Sequence, residues 1–185
     1  EFRRRWFPCL NLYPTPFMSE LAFQVRGKGF PVILLHGFPM NQQVWSSFAD
    51  KLANHFKVYT VDLPGFGKSP ALQDPFTIDQ VAEKVLGWME AQAISSSVLI
   101  GHSLGGYVVL AMTEQASQKF TAIGLFHSTA LADSAEKKQS RDKVIDFVKT
   151  NGAVAFTSSF IAPLFADQQH AAIPFIRELS ASATM

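Results

Sequence analysis

The chain has one cysteine, Cys9, among 185 residues. No internal disulfide can form, so the fold must rest on its core, and a reducing, cytoplasmic setting is expected. Long apolar runs are also missing. None approaches the roughly 18 residues of a membrane-spanning helix, so no membrane partner is expected. Nor is there an excess of charge of one sign: 16 Lys and Arg face 15 Asp and Glu. Without the first 17 residues, which hold three Arg and one Glu, the balance is 13 against 14. That leaves no basic stripe for nucleic acid. There are no internal repeats and no low-complexity tract.

What is present is an ordinary globular composition, 48% hydrophobic and 17% charged, with length enough for one domain. Seventeen Phe residues suggest large core surfaces or an apolar pocket. Residues 1–17, "EFRRRWFPCLNLYPTPF", contain three prolines and no steady periodicity. They lack the apolar stretch of a signal peptide and read as a leader or cloning-derived segment.

From Met18 the pattern alternates strand and helix. "LAFQV" (21–25), "VILLHG" (32–37), "KVYTVD" (57–62), "SVLIG" (97–101) and "FTAIGLF" (120–126) read as strands. A helix over 41–55 is expected to bury Val44, Phe48 and Leu52. A second, capped by Thr77, runs to about Ala93, and a third runs from Ser103 to about Ser117. This alternation predicts an α/β fold with a doubly wound, mostly parallel sheet over residues 18–128. Residues 129–185 read as a helical cap segment in which the core does not resume. It begins with a charged amphipathic helix over 133–152, ended by Gly152, and continues with two further helices, each containing a proline.

"VLIGHSLGGY" (98–107) holds the chemistry. Gly101 to Gly105 fits G-x-S-x-G directly after a strand and directly before a helix, the context this motif requires. Ser103 is the candidate nucleophile. Gly101, Gly105 and Gly106 relieve a cramped turn, and the helix N-terminus supplies unpaired N–H groups for an oxyanion. The Leu104 N–H is one expected donor. In "HGFP" (36–39), Gly37 brings a second loop beside the serine, and the Phe38 N–H is the expected partner donor. His102 is adjacent to the nucleophile and reads as a packing residue, since a base must reach the hydroxyl within about 3 Å. Asp62 and Ser69 in "DLPGFGKS" read as fixing a loop that walls the site. That stretch lacks the first glycine of a phosphate loop.

"HGFPMNQQVW", "DLPGFGKS" and "GHSLGG", in that order and spacing, resemble the α/β-hydrolase superfamily over about residues 20–180. They are most similar to its small esterase-like members with a helical cap. The resemblance implies a helical cap on a parallel core, a loop-bracing role for His36, no cofactor or metal, and a small-molecule ester-like substrate. Ser rather than Asp at the nucleophile position implies acyl transfer through a covalent ester. The family's acid and histidine follow the serine after further strands, whereas this chain ends at Met185 among cap-like helices. The expectation is a C-terminally shortened serine hydrolase, inactive by itself, with acid and histidine outside the chain. His127 closes the last strand and reads as a pocket-edge or hinge residue. Asp133 is a conceivable alternative acid, but His170, in a presumed cap helix, lacks the setting of a base. The last strand would leave an unpaired edge open to self-association. The competing reading is a non-catalytic ligand-binding or interaction module on the same fold.

Overall fold

A computed structural model describes residues 21–73 and 75–181; the leader expected over 1–17 lies outside these. Five strands form one sheet: β1 (Phe23–Arg26), β2 (Pro31–Leu35), β3 (Lys57–Val61), β4 (Ser97–His102) and β5 (Phe120–Phe126). Their order is β1-β3-β2-β4-β5, with β1 antiparallel to β3 and every other pair parallel. The helices are α1 (Ser46–Leu52), α2 (Ile78–Ala91), α3 (Leu104–Ala116), α4 (Ala135–Asn151), α5 (Ala153–Phe160) and α6 (Ile173–Ala181).

The unbroken apolar run of β2 follows from burial on both faces. Ile33 and Leu35 pack with α2 and α3 through Val85, Trp88, Val108 and Met112, while Val32 and Leu34 pack with Trp45 and Ala49 on the other face. Trp88 is fully buried, with Phe23 and Tyr59 ring centroids 5.3 and 5.6 Å away. Burying each such large side chain contributes on the order of 1.5–3 kcal/mol. Helix α2 starts with a reciprocal cap: the Gln80 N–H donates to the Thr77 hydroxyl at 3.3 Å, and the Thr77 N–H to the Gln80 side chain at 2.8 Å.

Two expectations for the helices need correction: the start of the first and the length of the last two. The stretch after β2 begins with a 3₁₀ turn, Gln42–Trp45, before α1. A 3₁₀ turn winds three residues per turn instead of 3.6 and shifts the inward face. Trp45 and Ala49 therefore meet the sheet, while Phe48 is 44% exposed. The charged helix expected over 133–152 is α4, Ala135–Asn151, ended by Gly152, with Val144 and Val148 half-buried and Ile145 and Phe147 exposed. The last two helices are shorter than expected. Proline fits only the first turn of a helix; α5 stops at Phe160 before Pro163, and α6 starts at Ile173 with Pro174 in its first turn.

α5 and α6 reach the core at one place. Ile161, Ile173, Ile176 and Leu179 form an apolar cluster with Met40, on the loop that follows β2. The segment after β5 is thereby anchored beside the β2 loop. Among the described residues, no helix is long and apolar enough to cross a membrane.

Candidate active site at the β4–α3 corner

Between β4 and α3 the chain turns at Ser103, which has φ +49° and ψ −112°. A non-glycine residue in such a region stores roughly 1–3 kcal/mol, so the surroundings must hold it there. The Ser103 N–H donates to the Phe126 carbonyl at 3.0 Å, and its own carbonyl accepts from the Gly106 N–H at 2.9 Å and the Ser128 hydroxyl at 2.8 Å. The side chain is half-buried and does not cap α3. Among the described residues nothing hydrogen-bonds its hydroxyl.

The glycines are required by close backbone approaches. A Cβ on Gly101 would overlap the Gly105 carbonyl, and one on Gly106 would overlap the Ser128 hydroxyl. A Cβ on Gly105 would lie 2.5 Å from the Leu35 oxygen, at the end of β2. One on Gly37 would lie 2.7 Å from His102 Nδ1 and 3.0 Å from Ser103 Cβ. The β2 loop thus lies against the serine. The Leu104 N–H is in the first turn of α3 and has no intrahelical acceptor. Phe38, followed by a cis peptide to Pro39, precedes a turn closed by the Met40 N–H on the Gly37 carbonyl at 3.0 Å. Among the described residues neither the Phe38 nor the Leu104 N–H has an acceptor.

His36 is fully buried and ties two loops together. Its Nε2 accepts the Leu63 N–H at 3.0 Å, which leaves Nδ1 to donate to the Gly37 carbonyl at 3.0 Å. Burial is the main cause pushing this imidazole down to about 4. Asp62 organises the loop that follows β3. Its carboxylate accepts from the Gln42 N–H at 2.7 Å, the Gln42 side-chain amide at 3.2 Å and the Lys68 N–H at 3.0 Å. The Ser69 hydroxyl donates to the Asp62 carbonyl at 2.7 Å and accepts the Ala22 N–H at 2.9 Å.

The other candidates do not converge on the serine hydroxyl. His102 packs edge-on against Trp45 and Phe126, with ring centroids 6.3 and 6.0 Å away; burial lowers its pKa, and His127 lowers it further. His127 is exposed at φ +46°, with its ring 4.9 Å from that of Phe126. His170 accepts the Ala172 N–H at 3.1 Å and stacks on Phe165. Asp133 is paired with Arg141, which also donates to the Tyr107 hydroxyl at 3.3 Å. Among the described residues no group of three His, Cys, Asp or Glu could hold a metal ion.

Two features of the corner escaped the reading of the sequence. Ser128, 25 positions beyond Ser103, braces the turn, and no motif spacing announces it. Phe38 lies at the centre of an aromatic group, with the rings of Phe66, Phe156 and Phe160 at 6.2, 6.1 and 6.2 Å. The density of Phe was the only signal for this group.

The pimeloyl-[acyl-carrier protein] methyl ester esterase of Vibrio cholerae is 36% identical over 116 residues, covering 56% of this chain and 44% of that protein. The enzyme of the same name from Pectobacterium atrosepticum is 41% identical over 92 residues, 49% of this chain and 34% of its own. Across such curated relatives the match spans less than half of the relative's length. A thermophilic esterase from Thermogutta terrifontis superposes with a TM-score of 0.79 at 30% identity, over 89% of this chain and 62% of that one. An esterase from Exiguobacterium antarcticum superposes at 0.81 with 21% identity, a likeness of fold, over 89% and 65%. A family model described as alpha/beta hydrolase fold matches residues 31–170. By that match, and by the mostly parallel sheet that leads into the corner at Ser103, the chain belongs to the α/β-hydrolase fold family.

Proposed function

We propose that the chain carries the nucleophile and oxyanion half of a serine esterase. The Ser103 oxygen attacks the carbonyl carbon of a carboxylic ester while its proton passes to a base. The carbonyl oxygen becomes an oxyanion held by the Phe38 and Leu104 N–H groups, each donor contributing about 3–4 kcal/mol to barrier lowering. Collapse breaks the bond to the alcohol, which leaves with a proton, and water then hydrolyses the acyl-serine. His36, Gly37, Gly101, His102, Gly105 and Gly106 support the loops, and no group beyond the protein and water enters the scheme.

The observation that carries this reading is the positive φ of Ser103, held beside Gly37 with its hydroxyl uncommitted. A chain gains no stability from such a conformation, and a reactive hydroxyl gives a reason to keep it. The esterase names of the relatives support an ester as substrate, and those relatives suggest a methyl ester of an acyl chain as the first to try. Among the described residues neither downstream histidine, His127 nor His170, hydrogen-bonds Ser103, so this reading assigns the base to neither. A cytoplasmic setting completes the reading, supported by the single cysteine.

Prolonged incubation with p-nitrophenyl butyrate, followed by peptide mass spectrometry, tests it. A butyryl group is expected on Ser103 and absent from Ser103→Ala. An unmodified Ser103, or an adduct that survives the substitution, contradicts the proposal.

A further inference from the structure

In the esterase reading two amides hold the oxyanion, and the fold secures them differently. The Leu104 N–H is fixed by the first turn of α3. The Phe38 N–H lies on the loop after β2 and has no acceptor among the described residues, so no hydrogen bond of its own sets its direction. What is held is the ring. Phe66, from the loop after β3, stands edge-on to it at 6.2 Å, and two rings of α5, Phe156 and Phe160, lie at 6.1 and 6.2 Å. Phe156 and Phe160 stack on each other at 4.8 Å, so they meet Phe38 as one surface. The next residues of the loop are held by the same part of the chain. Met40 is buried among Ile161, Ile173, Ile176 and Leu179, and the Asn41 side-chain amide donates to the Leu179 carbonyl at 3.5 Å, 138 positions away.

We propose that Phe156 and Phe160 are positioning residues for the oxyanion: α5 and α6 clamp loop 38–41, and the two rings aim the Phe38 N–H. The proposal rests on the esterase reading above. His36 fixes the near end of the loop through the Gly37 carbonyl, and Asp62 fixes the far end through the Gln42 N–H. Between these anchors the ring contacts of Phe38 come, among the described residues, from Phe66 and α5 alone. Aromatic contacts at this spacing are directional, so removing a ring frees the Phe38 side chain to turn and its backbone to follow. A misplacement of about 1 Å at a group that meets the reacting atoms costs on the order of a hundredfold in rate. One oxyanion donor is thus built into a helix, and the other depends on a segment that follows the last strand.

The test is labelling of the 185-residue chain with a fluorophosphonate. The Ser103 oxygen displaces fluoride from phosphorus, its proton passes to solvent, and the phosphoryl oxygen takes the place of the oxyanion. The phosphorus NMR shift of the adduct reads the hydrogen bonds which that oxygen accepts. In Phe160→Ala labelling is expected to slow by about tenfold to a hundredfold, with the shift moved toward that of the urea-unfolded adduct. Phe160→Tyr keeps the ring and is expected to restore both. Val154→Ala, at an exposed position of α5, is expected to change neither. Circular dichroism checks folding; should the alanine variant unfold, Phe160→Leu keeps apolar volume without the ring, and a slowing of about threefold to tenfold is expected. Unchanged rate and shift in a folded Phe160 variant overturn the clamp and leave the esterase reading standing. A wild-type adduct with the shift of the unfolded chain, or no adduct on Ser103, removes the oxyanion role instead. The clamp is then read from nitrogen relaxation at the Phe38 amide: an order parameter falling from about 0.85 to below about 0.6 in Phe160→Ala supports it. An unchanged value overturns it.

Discussion

Gly37 lies so near Ser103 that a Cβ on the glycine would come within 3.0 Å of the serine's own. Two loops, one after β2 and one after β4, are thus locked at van der Waals distance by the absence of one methyl group. The positions of the nucleophile and of the Phe38 amide depend on each other. A change on either loop should disturb both.

Substitution of the glycines separates this requirement from general glycine effects. Gly101→Ala must drive a methyl into the Gly105 carbonyl, and a loss of about 2–3 kcal/mol is expected. In α2, a Cβ on Gly87 meets nothing within 4 Å, so Gly87→Ala is expected to stabilise by about 0.5–1 kcal/mol through helix propensity. Urea unfolding of both variants measures the contrast.

Acid should weaken the fold through His36. The unfolded chain protonates this residue near its ordinary value of 6.5, whereas burial holds the folded value at about 4. Above that window both states are neutral and the residue contributes no pH dependence. As pH falls through it the unfolded state takes up the proton first, and stability is lost by about 3 kcal/mol in all before levelling off. The lowered pKa of His102 acts in the same direction. His36→Asn is expected to be less stable at neutral pH but to show a shallower fall between pH 7 and 4.5. Parallel slopes for the two proteins would contradict this.

Asp62 should matter through its hydrogen bonds. Asp62→Ala leaves the buried Gln42 N–H and the Lys68 N–H without their acceptor, at a cost of about 3 kcal/mol. Asp62→Asn keeps one oxygen and is expected to lose about half as much. Amide hydrogen exchange at Gln42 and Lys68 should quicken in both, more in the alanine variant.

The β5 edge is expected to associate with that of a second copy. Among the described strands β5 pairs only with β4, and Ile123, Leu125 and Phe126 are exposed on it. Sedimentation should show an average mass that rises with concentration, and Ile123→Lys should suppress the rise. A wild-type chain that stays monomeric throughout would contradict this.

The sheet was legible because its signals are local. Val32 to Leu35 announce a strand buried on both faces, and Thr77 announces a helix start. The corner at Ser103 was legible for the same reason, since Gly101 and Gly105 are demanded by backbone atoms a few residues away. What stayed hidden depends on partners distant in sequence. The 3₁₀ turn that makes Trp45 face inward and Phe48 outward is set by the Asn41 side chain and by the sheet beneath it. Ser128 and the Phe38 ring cluster join segments 25 or more positions apart, and no short-range periodicity encodes such contacts.

The most direct test of the corner is reaction of the 185-residue chain with a fluorophosphonate, with the adduct located by mass spectrometry and its rate followed against pH. The predicted result is a slow adduct on Ser103 alone, with a rate climbing about tenfold per pH unit because no imidazole assists the hydroxyl. An adduct on another residue would remove Ser103 as the nucleophile. Rapid labelling that levels off near neutrality would place a working base within these residues and contradict the account.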